Sequence, residues 1–315
     1  MKVFVAGATG ALGRQLVPML VEQGHEVTGM TRTPAKQDLI ADLGARPAVA
    51  DALDPEGVAK AVNEAAPEVV IHELTAIDMS SFGRSIDRLF ARTNRLRTDG
   101  TDHLLAAAKA TGARRFIAQS FAGWPFQRTG GPVKSEEEPL QEHPPKRVAE
   151  TLGAIKYLER VVTGAEGIEG VALRYGGFYG PGTSIAVNPD GEQVALLRKR
   201  RFPVVGNGAG IWSFVHIQDA ASATAAAIDR GGPGVYNVVD DEPAPVSELL
   251  PELAKAVGAK PPRHLPRWLG RLLAGEAITV MMTEVRGASN EKARRELGWE
   301  LRYPSWRLGI RDGLS

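Results

Sequence analysis

The chain has 315 residues, of which 43% are hydrophobic and 24% are charged, and its formal net charge is +1. These values are ordinary for a globular protein and exclude an intrinsically disordered chain. Without a basic block or an excess of positive charge, a nucleic acid is not the expected partner, and we expect a small molecule instead. Cysteine is absent, which excludes disulfides and cysteine-ligated metals, and we predict no metal site.

The N-terminal segment carries too short an apolar stretch before Gly7 to form a signal peptide. No later segment reaches the run of about 18 apolar residues that a membrane span needs. We therefore expect a cytoplasmic protein without a membrane partner.

Short apolar runs alternate with longer segments of helical periodicity, which is typical of βα units that build a parallel sheet. The predicted strands are Lys2–Ala6, Glu26–Thr31, Arg46–Ala50, Glu68–Leu74, Arg115–Ser120 and Gly170–Tyr175. The predicted helices are Ala11–Gln23, Pro55–Ala65, Thr101–Thr111 and Arg147–Thr163. This order predicts an α/β fold of Rossmann type, in which a doubly wound parallel sheet binds ligands beyond the carboxyl ends of its strands.

The amino-acid composition changes after residue 175, where glycine and proline become frequent. We assign residues 1–175 to a dinucleotide-binding domain. Residues 176–210 and 241–315 are assigned to a smaller C-terminal substrate-binding lobe. Two further strands, predicted at Ser213–Ile217 and Val235–Val239, would return residues 211–240 to the main sheet.

A glycine-rich turn, Gly7-Ala8-Thr9-Gly10-Ala11-Leu12-Gly13, follows the first predicted strand and opens the first helix. Gly7 permits the tight turn, Gly10 lets backbone N–H groups approach a pyrophosphate, and Gly13 allows close packing of the helix. The N-terminus of the helix favours the anion. We therefore predict a nicotinamide dinucleotide on this turn. The predicted contacts are Gly7, Thr9, Gly10, Ala11, Leu12 and Gly13.

The end of the second strand favours NADP(H) over NAD(H). NAD-specific sites place a carboxylate there, but this strand ends in Thr31 and Arg32. Thr31 leaves room, and Arg32 offers a planar cationic fork to a 2′-phosphate. The alternative is that Arg32 is a solvated loop cation. Asp51, after the third strand, is predicted to accept a hydrogen bond from the adenine amino group, with helix capping as the alternative.

Several motifs, taken in their order along the chain, resemble those of the extended short-chain dehydrogenase/reductase family, also called the NAD-dependent epimerase/dehydratase family. The resemblance covers nearly the whole chain. Besides the glycine-rich turn it includes His72-Glu73-Leu74-Thr75-Ala76, Asn94, Tyr179-Gly180-Pro181-Gly182, Phe214-Val215-His216-Ile217-Gln218-Asp219 and residues 292–299. It implies a homodimer formed through two helices. The further cofactor contacts that we predict are Ala52, Leu74, Thr75, Ala76 and Asn94.

The family also implies a catalytic Tyr, a Lys four residues later that stabilises the phenolate, and a Ser or Thr at the end of the fifth strand. Counting back from Glu159 places Thr151 and Ile155 at the Tyr and Lys positions, so both groups are missing. The hydroxyl position falls on Phe121, one residue after Ser120. Candidates for a replacement acid are Ser120, Lys156, Tyr175 and Tyr179, with His72 more distant. Packing or surface roles are the alternative for each, and no protein acid is needed if water supplies the proton.

Family members that act on nucleotide sugars hold the diphosphate with an Asn before the Tyr-Gly-Pro element and an Arg before the Phe-x-His element. Gly177 and Trp212 occupy these places, which argues against a nucleotide sugar. We predict that Trp124, Gly177, Phe178 and Trp212 contact an apolar or aromatic substrate. Core packing is the alternative for the aromatic residues.

These observations favour an NADP(H)-dependent oxidoreductase that acts on a carbonyl or alcohol of a small, partly apolar metabolite and has a non-standard proton donor. One alternative is a nucleotide-sugar epimerase or dehydratase. The other is a non-catalytic NADP(H)-binding regulator or scaffold, which the loss of the Tyr and Lys pair would permit.

Overall fold

The computed structural model describes residues 1–77, 86–187, 189 and 191–315. The strands are β1 (Lys2–Ala6), β2 (Glu26–Thr31), β3 (Arg46–Val49), β4 (Val69–His72), β5 (Arg115–Phe121), β6 (Val133–Lys134), β7 (Glu169–Tyr175), β8 (Gly177–Tyr179), β9 (Val204–Val205), β10 (Ile211–Trp212), β11 (Phe214–His216), β12 (Gly234–Val238), β13 (Ala244–Pro245), β14 (His264–Leu265) and β15 (Gly287–Ala288). The helices are α1 (Ala11–Glu22), α2 (Gln37–Asp42), α3 (Pro55–Ala65), α4 (Ile86–Leu89), α5 (Ala91–Arg95), α6 (Thr101–Ala110), α7 (Ala149–Thr163), α8 (Glu192–Arg198), α9 (Ile217–Ala226), α10 (Val246–Ala256), α11 (Arg267–Thr283), α12 (Glu291–Leu297) and α13 (Trp306–Asp312).

Within the described residues, seven parallel strands form the central sheet in the order β12-β7-β5-β4-β1-β2-β3. The order reverses between β1 and β4, so the connections after these two strands leave in opposite directions. A crevice at the carboxyl ends of such a pair is where doubly wound sheets bind ligands. The predicted α/β fold of Rossmann type is confirmed.

Alternating residues of the sheet fill two separate cores. Val3 and Val5 of β1 pack under α1 and α9, whereas Phe4 and Ala6 face α3 and α6. Because all four side chains are at most 1% exposed, the strand is apolar throughout, as a strand covered by helices on both faces must be. Burial of Phe4 alone contributes about 2 kcal/mol to stability.

A third core joins the later part of the chain, where α8, α10 and α13 pack together. Of the two strands predicted to return to the sheet, β12 does so beside β7. The prediction is wrong for β11, which pairs with β8 outside the sheet. The backbones approach so closely there that a Cβ at Gly176 would lie 2.7 Å from Ser213 O.

The helical stretch from α5 to α6 contains an unusual turn. Between α5 and α6, residues Leu96–Gly100 form a π-helical turn, and the backbone stays helical on both sides of it. Such turns are rare and occur mostly at functional sites.

Candidate active site

The glycine-rich turn lies between β1 and α1, at the carboxyl edge of the sheet beside β4. Gly7 has a φ of +104°, which residues with a Cβ rarely adopt. A Cβ at Gly7 would lie 2.8 Å from Glu73 O, and a Cβ at Gly13 would lie 2.3 Å from Gly7 O. These two glycines therefore let the turn, α1 and the chain after β4 meet closely.

Gly10 is glycine for a different reason. It is the exposed N-cap of α1, with a φ of −75° and a ψ of 174° that any residue can adopt. No side chain caps this helix, so its first N–H groups are available to a ligand anion. Thr9 and Ala11 are half-buried beside the turn, and Leu12 is buried in the core. The turn thus fits a pyrophosphate, as the spacing of its glycines predicts.

At the end of β2, Thr31 is buried and Arg32 is exposed. The Thr31 hydroxyl accepts a hydrogen bond of 3.2 Å from the Thr33 N–H, which fixes the turn after the strand. The Arg32 side chain extends into solvent at the edge where a dinucleotide's adenosine would lie.

Asp51 lies beside this edge and is already paired. Its Oδ2 accepts a hydrogen bond of 2.7 Å from Arg92 Nη2, and its Oδ1 accepts one of 3.1 Å from the Leu53 N–H. Burial alone would raise the pKa of Asp51, but these two donors outweigh it and lower the pKa. The neighbouring Ala52 is buried, and its carbonyl oxygen lies 2.9 Å from His103 Nδ1.

The segment after β4 runs along the same edge without regular structure. Leu74 and Ala76 are half-buried and Thr75 is exposed. The Ala76 N–H donates a hydrogen bond of 2.9 Å to Thr93 Oγ1, which ties this segment to α5. Asn94, on the same helix, donates 3.1 Å to Thr151 Oγ1. Asn94 therefore contacts the position where the family would place its Tyr.

A cavity of about 100 Å³ opens beside Thr151. Its described lining is almost entirely apolar and consists of Ile86, Phe90, Arg97, Phe121, Trp124, Gln141, Pro145, Val148, Thr151, Ile155, Ala277, Val280, Met281 and Val285. The second half of α11, after a break at Gly275 where φ is 87°, supplies part of this lining.

The three positions at which the resemblance places the family's catalytic groups all line this cavity. They are occupied by Phe121, Thr151 and Ile155. Thr151 is 1% exposed. Its hydroxyl donates a hydrogen bond of 2.7 Å to Asp87 Oδ1 and accepts one from Asn94. Because two of the side chains are hydrocarbon and the third is a bonded hydroxyl, these positions offer no group that titrates near neutral pH.

Ser120 points away from the cavity into a buried ion pair. Its hydroxyl donates 2.6 Å to Glu159 Oε1. Glu159 also receives two hydrogen bonds of 2.7 Å from Arg174, and the Glu159 and Arg174 side chains are only 8% and 5% exposed. This network joins β5, α7 and β7, and the Ser120 hydroxyl is part of it.

Tyr175 lies on the other face of the sheet, under α9. Its hydroxyl is 3.0 Å from Glu73 Oε1 and 2.7 Å from Thr224 Oγ1. Burial, followed by the charge of Glu73, raises the pKa of Tyr175 well above its ordinary value. Tyr175 is not among the described residues that line the cavity.

The remaining candidate acids lie away from the cavity. Tyr179 is 1% exposed and fits against Gly309, and burial raises its pKa. Lys156 Nζ donates a hydrogen bond of 2.6 Å to Gln141 O. His72 is buried with Nε2 3.0 Å from Leu96 O, and burial lowers its pKa to about 4. None of the three is among the described residues that line the cavity.

Of the predicted substrate contacts, Trp124 lines the cavity. Gly177 and Phe178 lie on β8, where a Cβ at Gly177 would meet the Phe214 ring at 2.8 Å. The Trp212 indole N–H donates a hydrogen bond of 2.8 Å to Met281 O in α11. Met281 itself lines the cavity. Phe90, Arg97 and most of the remaining lining were not predicted from the sequence.

Glu73 makes the stability of the protein depend on pH. The carboxyl group is 5% exposed, and burial raises its pKa to about 8, although the Tyr175 hydroxyl acts in the opposite direction. The folded protein thus holds a proton that the unfolded chain releases near pH 4.5. We expect the free energy of unfolding to fall by a few kcal/mol as the pH rises through this interval.

Glu73→Gln should remove most of this loss, and thermal unfolding at several pH values checks it. The variant should match the wild type near pH 5 and be more stable above about pH 8. Glu22→Gln, at an exposed position of α1, serves as the control. An equal pH dependence of Glu73→Gln and wild type would contradict a buried neutral carboxyl group.

Comparison with known proteins agrees with this geometry. Residues 3–238 match the NAD dependent epimerase/dehydratase family. The chain belongs to this family. As predicted, it is an NAD(P)-dependent enzyme of the oxidoreductase and epimerase type. Among the described residues, no helix has the length and apolarity needed to cross a membrane.

The curated relatives include several reductases. A Streptomyces sp. 3-diazoavenalumate denitrifying reductase is 44% identical over 98% of this chain and 99% of that protein. A 2-alkyl-3-oxoalkanoate reductase of Stenotrophomonas maltophilia is 29% identical over 82% of this chain and 76% of that protein.

Two solved structures share the fold. The Thermus thermophilus UDP-glucose 4-epimerase in complex with NAD has a TM-score of 0.73 at 25% identity, covering 100% of this chain and 98% of that one. A human epimerase family protein with NADPH has a TM-score of 0.74 at 18% identity, covering 100% and 99%. Both forms of the dinucleotide therefore occur on this fold.

Proposed function

We propose that the protein is an NADP(H)-dependent reductase of a small aromatic diazo compound. One observation carries the proposal: the three positions that would supply acid-base groups are Phe121, Thr151 and Ile155, and all three line the cavity. A reaction in this cavity is therefore one that needs hydride but no proton from the protein.

Hydride reduction of an aryl diazonium group meets this condition. When bound, the reduced nicotinamide supplies a hydride. Addition of hydride to the terminal nitrogen of the cation gives a neutral aryl diazene. The diazene loses N₂ when its C–N and N–H bonds break and a C–H bond forms at the ring carbon. Atoms and charge balance without an added proton, whereas reduction of a carbonyl leaves an alkoxide that an acid must protonate.

The lining of the cavity supports an aromatic substrate. Phe90, Phe121 and Trp124 offer ring surfaces, and the aliphatic side chains of α7 and α11 exclude water. The name of the Streptomyces relative, a denitrifying reductase of a diazo compound, supports the same assignment.

The test uses two probes that differ only in the reacting group. The diazonium salt of 3-aminobenzoate and 3-formylbenzoate are each mixed with the protein and NADPH, and NADPH loss and N₂ are measured. The proposal predicts faster NADPH loss with the diazonium salt than in protein-free and heat-denatured controls, with one N₂ per NADPH. Turnover of neither probe would overturn it and favour a regulator that binds the dinucleotide.

Carbonyl reduction is the second candidate, because Thr151, which lines the cavity, carries a hydroxyl. That proton is donated to Asp87, so water would have to protonate the alkoxide. The oxoalkanoate reductase among the relatives favours this candidate. Turnover of 3-formylbenzoate alone would establish it in place of diazo reduction.

The cofactor preference rests on Arg32. Because Arg32 is exposed at the end of β2 and no carboxylate precedes it, we expect Arg32→Ala to raise the KM for NADPH about 10-fold, the worth of a charge-assisted hydrogen bond. The KM for NADH should change less than about 3-fold.

The matched control is Arg46→Ala, which removes a cation from the start of β3. This position lies at the amino-terminal end of the strands, whereas Arg32 follows the carboxyl-terminal end of β2. Its KM for NADPH should equal that of the wild type. Equal losses for NADPH and NADH in Arg32→Ala would show that Arg32 does not read the 2′-phosphate.

A further inference from the structure

We propose that Arg97 binds a carboxylate of the substrate inside the cavity, so that the substrate is a small aromatic acid. The proposal rests on the proposed function only in placing the substrate in this cavity. It adds a chemical class and a specificity-determining residue.

Arg97 is a buried cation with an unused donor. The residue is 5% exposed and lines the cavity. Its Nη1 is buried and has no hydrogen-bond partner among the described residues. The guanidinium carbon lies 5.8 Å from the centre of the Phe90 ring. Burial of a guanidinium without a bound anion destabilises the folded protein.

The described carboxylates near Arg97 are already engaged. Glu159 favours the charged form of Arg97 through space, but it is bonded through both oxygens to Arg174. Asp87 accepts from the Thr151 hydroxyl and N–H. His72 stays neutral above about pH 4 because burial lowers its pKa. Among the described residues, neither carboxylate is therefore hydrogen-bonded to Arg97, whose Nη1 has no partner.

Arg97 remains a cation in this setting. Burial lowers its pKa to about 10, which is still far above neutral pH. The residue belongs to the π-helical turn Leu96–Gly100, a backbone form that is retained mostly where a side chain has a functional role.

The chemistry of the lining defines the ligand. A planar guanidinium matches a carboxylate through two parallel hydrogen bonds. The rest of the described lining contains no second cation, so a monoanion fits better than a diphosphate. Ring surfaces at Phe121 and Trp124 suit a flat hydrocarbon body.

The test measures binding without chemistry. Protein saturated with NADPH is titrated calorimetrically with cinnamate and with cinnamamide, which has the same shape without the charge. The wild type should bind cinnamate at least about 10-fold more tightly than the amide. Arg97→Met should abolish this preference and leave the affinity for the amide within about 3-fold. Arg97→Lys should keep part of it.

Two controls separate this role from a structural one. Arg95→Met removes an exposed cation from the same helix and should keep the preference. Arg97→Met should bind NADPH and unfold at the wild-type temperature or above, because it removes an unpaired buried charge; a clearly lower unfolding temperature would indicate a structural role instead.

Equal binding of the two probes, or a preference that survives in Arg97→Met, would overturn the proposal. A preference for cinnamate without reduction of the diazonium salt would leave this inference standing and remove the proposed function. Reduction without the preference would do the reverse.

Discussion

Arg174→Met is expected to lower the free energy of unfolding by about 3–5 kcal/mol, because it leaves the buried Glu159 carboxylate without its cation. In the folded protein Arg174 donates one hydrogen bond of 2.7 Å to each carboxylate oxygen of Glu159. Among the described residues, the Ser120 hydroxyl would remain as the side-chain hydrogen-bond donor to Glu159. Denaturant unfolding measures the loss directly.

The double variant Arg174→Met with Glu159→Met should recover most of this stability, since neither charge is then buried. The exposed pair Arg95 and Asp99, with side chains 63% and 44% exposed, provides the comparison. Arg95→Met should change stability by no more than about 0.5 kcal/mol. An Arg174→Met loss as small as that would show that the buried ion pair does not support the sheet.

Gly10→Ala is expected to weaken NADPH binding about 10- to 100-fold while leaving the fold intact. The backbone at Gly10 accepts any residue, and its Cβ would meet only Gly7 O, at 3.2 Å. That Cβ would occupy the space in front of the α1 N-terminus, where the phosphates must approach. Fluorescence titration with NADPH measures the effect.

The matched control is Gly153→Ala on the exposed side of α7, where a Cβ meets no atom within 4 Å. It should bind NADPH normally and gain up to about 1 kcal/mol in stability. Gly13→Ala should instead destabilise the protein, because its Cβ would lie 2.3 Å from Gly7 O. Normal NADPH binding by Gly10→Ala would contradict a pyrophosphate site on this turn.

The sheet could be predicted because its signals are local. Strand β1, the glycine turn and α1 follow one another within 22 residues, and apolar periodicity marks each element. The pairing of β11 with β8 could not be predicted, because the close approach of Gly176 to Ser213 depends on tertiary packing. A three-residue strand carries no sequence signal for its partner.

The candidate site divides in the same way. The spacing from Glu159 places Thr151 and Ile155 at the lost catalytic positions, and the structure brings both to the cavity with Phe121. Arg97 was missed because an arginine in an amphipathic helix ordinarily faces solvent. It is buried in a π-helical turn and lines a cavity together with α11, which lies far along the chain. The predicted homodimer stays a prediction.

The central claim is that hydride transfer in this cavity needs no proton from the protein. Its most direct test is a single turnover of the NADPH-saturated enzyme with the diazonium salt of 3-aminobenzoate, compared in H₂O and D₂O. We predict equal rates of NADPH oxidation in the two solvents. A rate lower in D₂O by a factor of about 2 or more would show that a proton moves with the hydride and would contradict the claim.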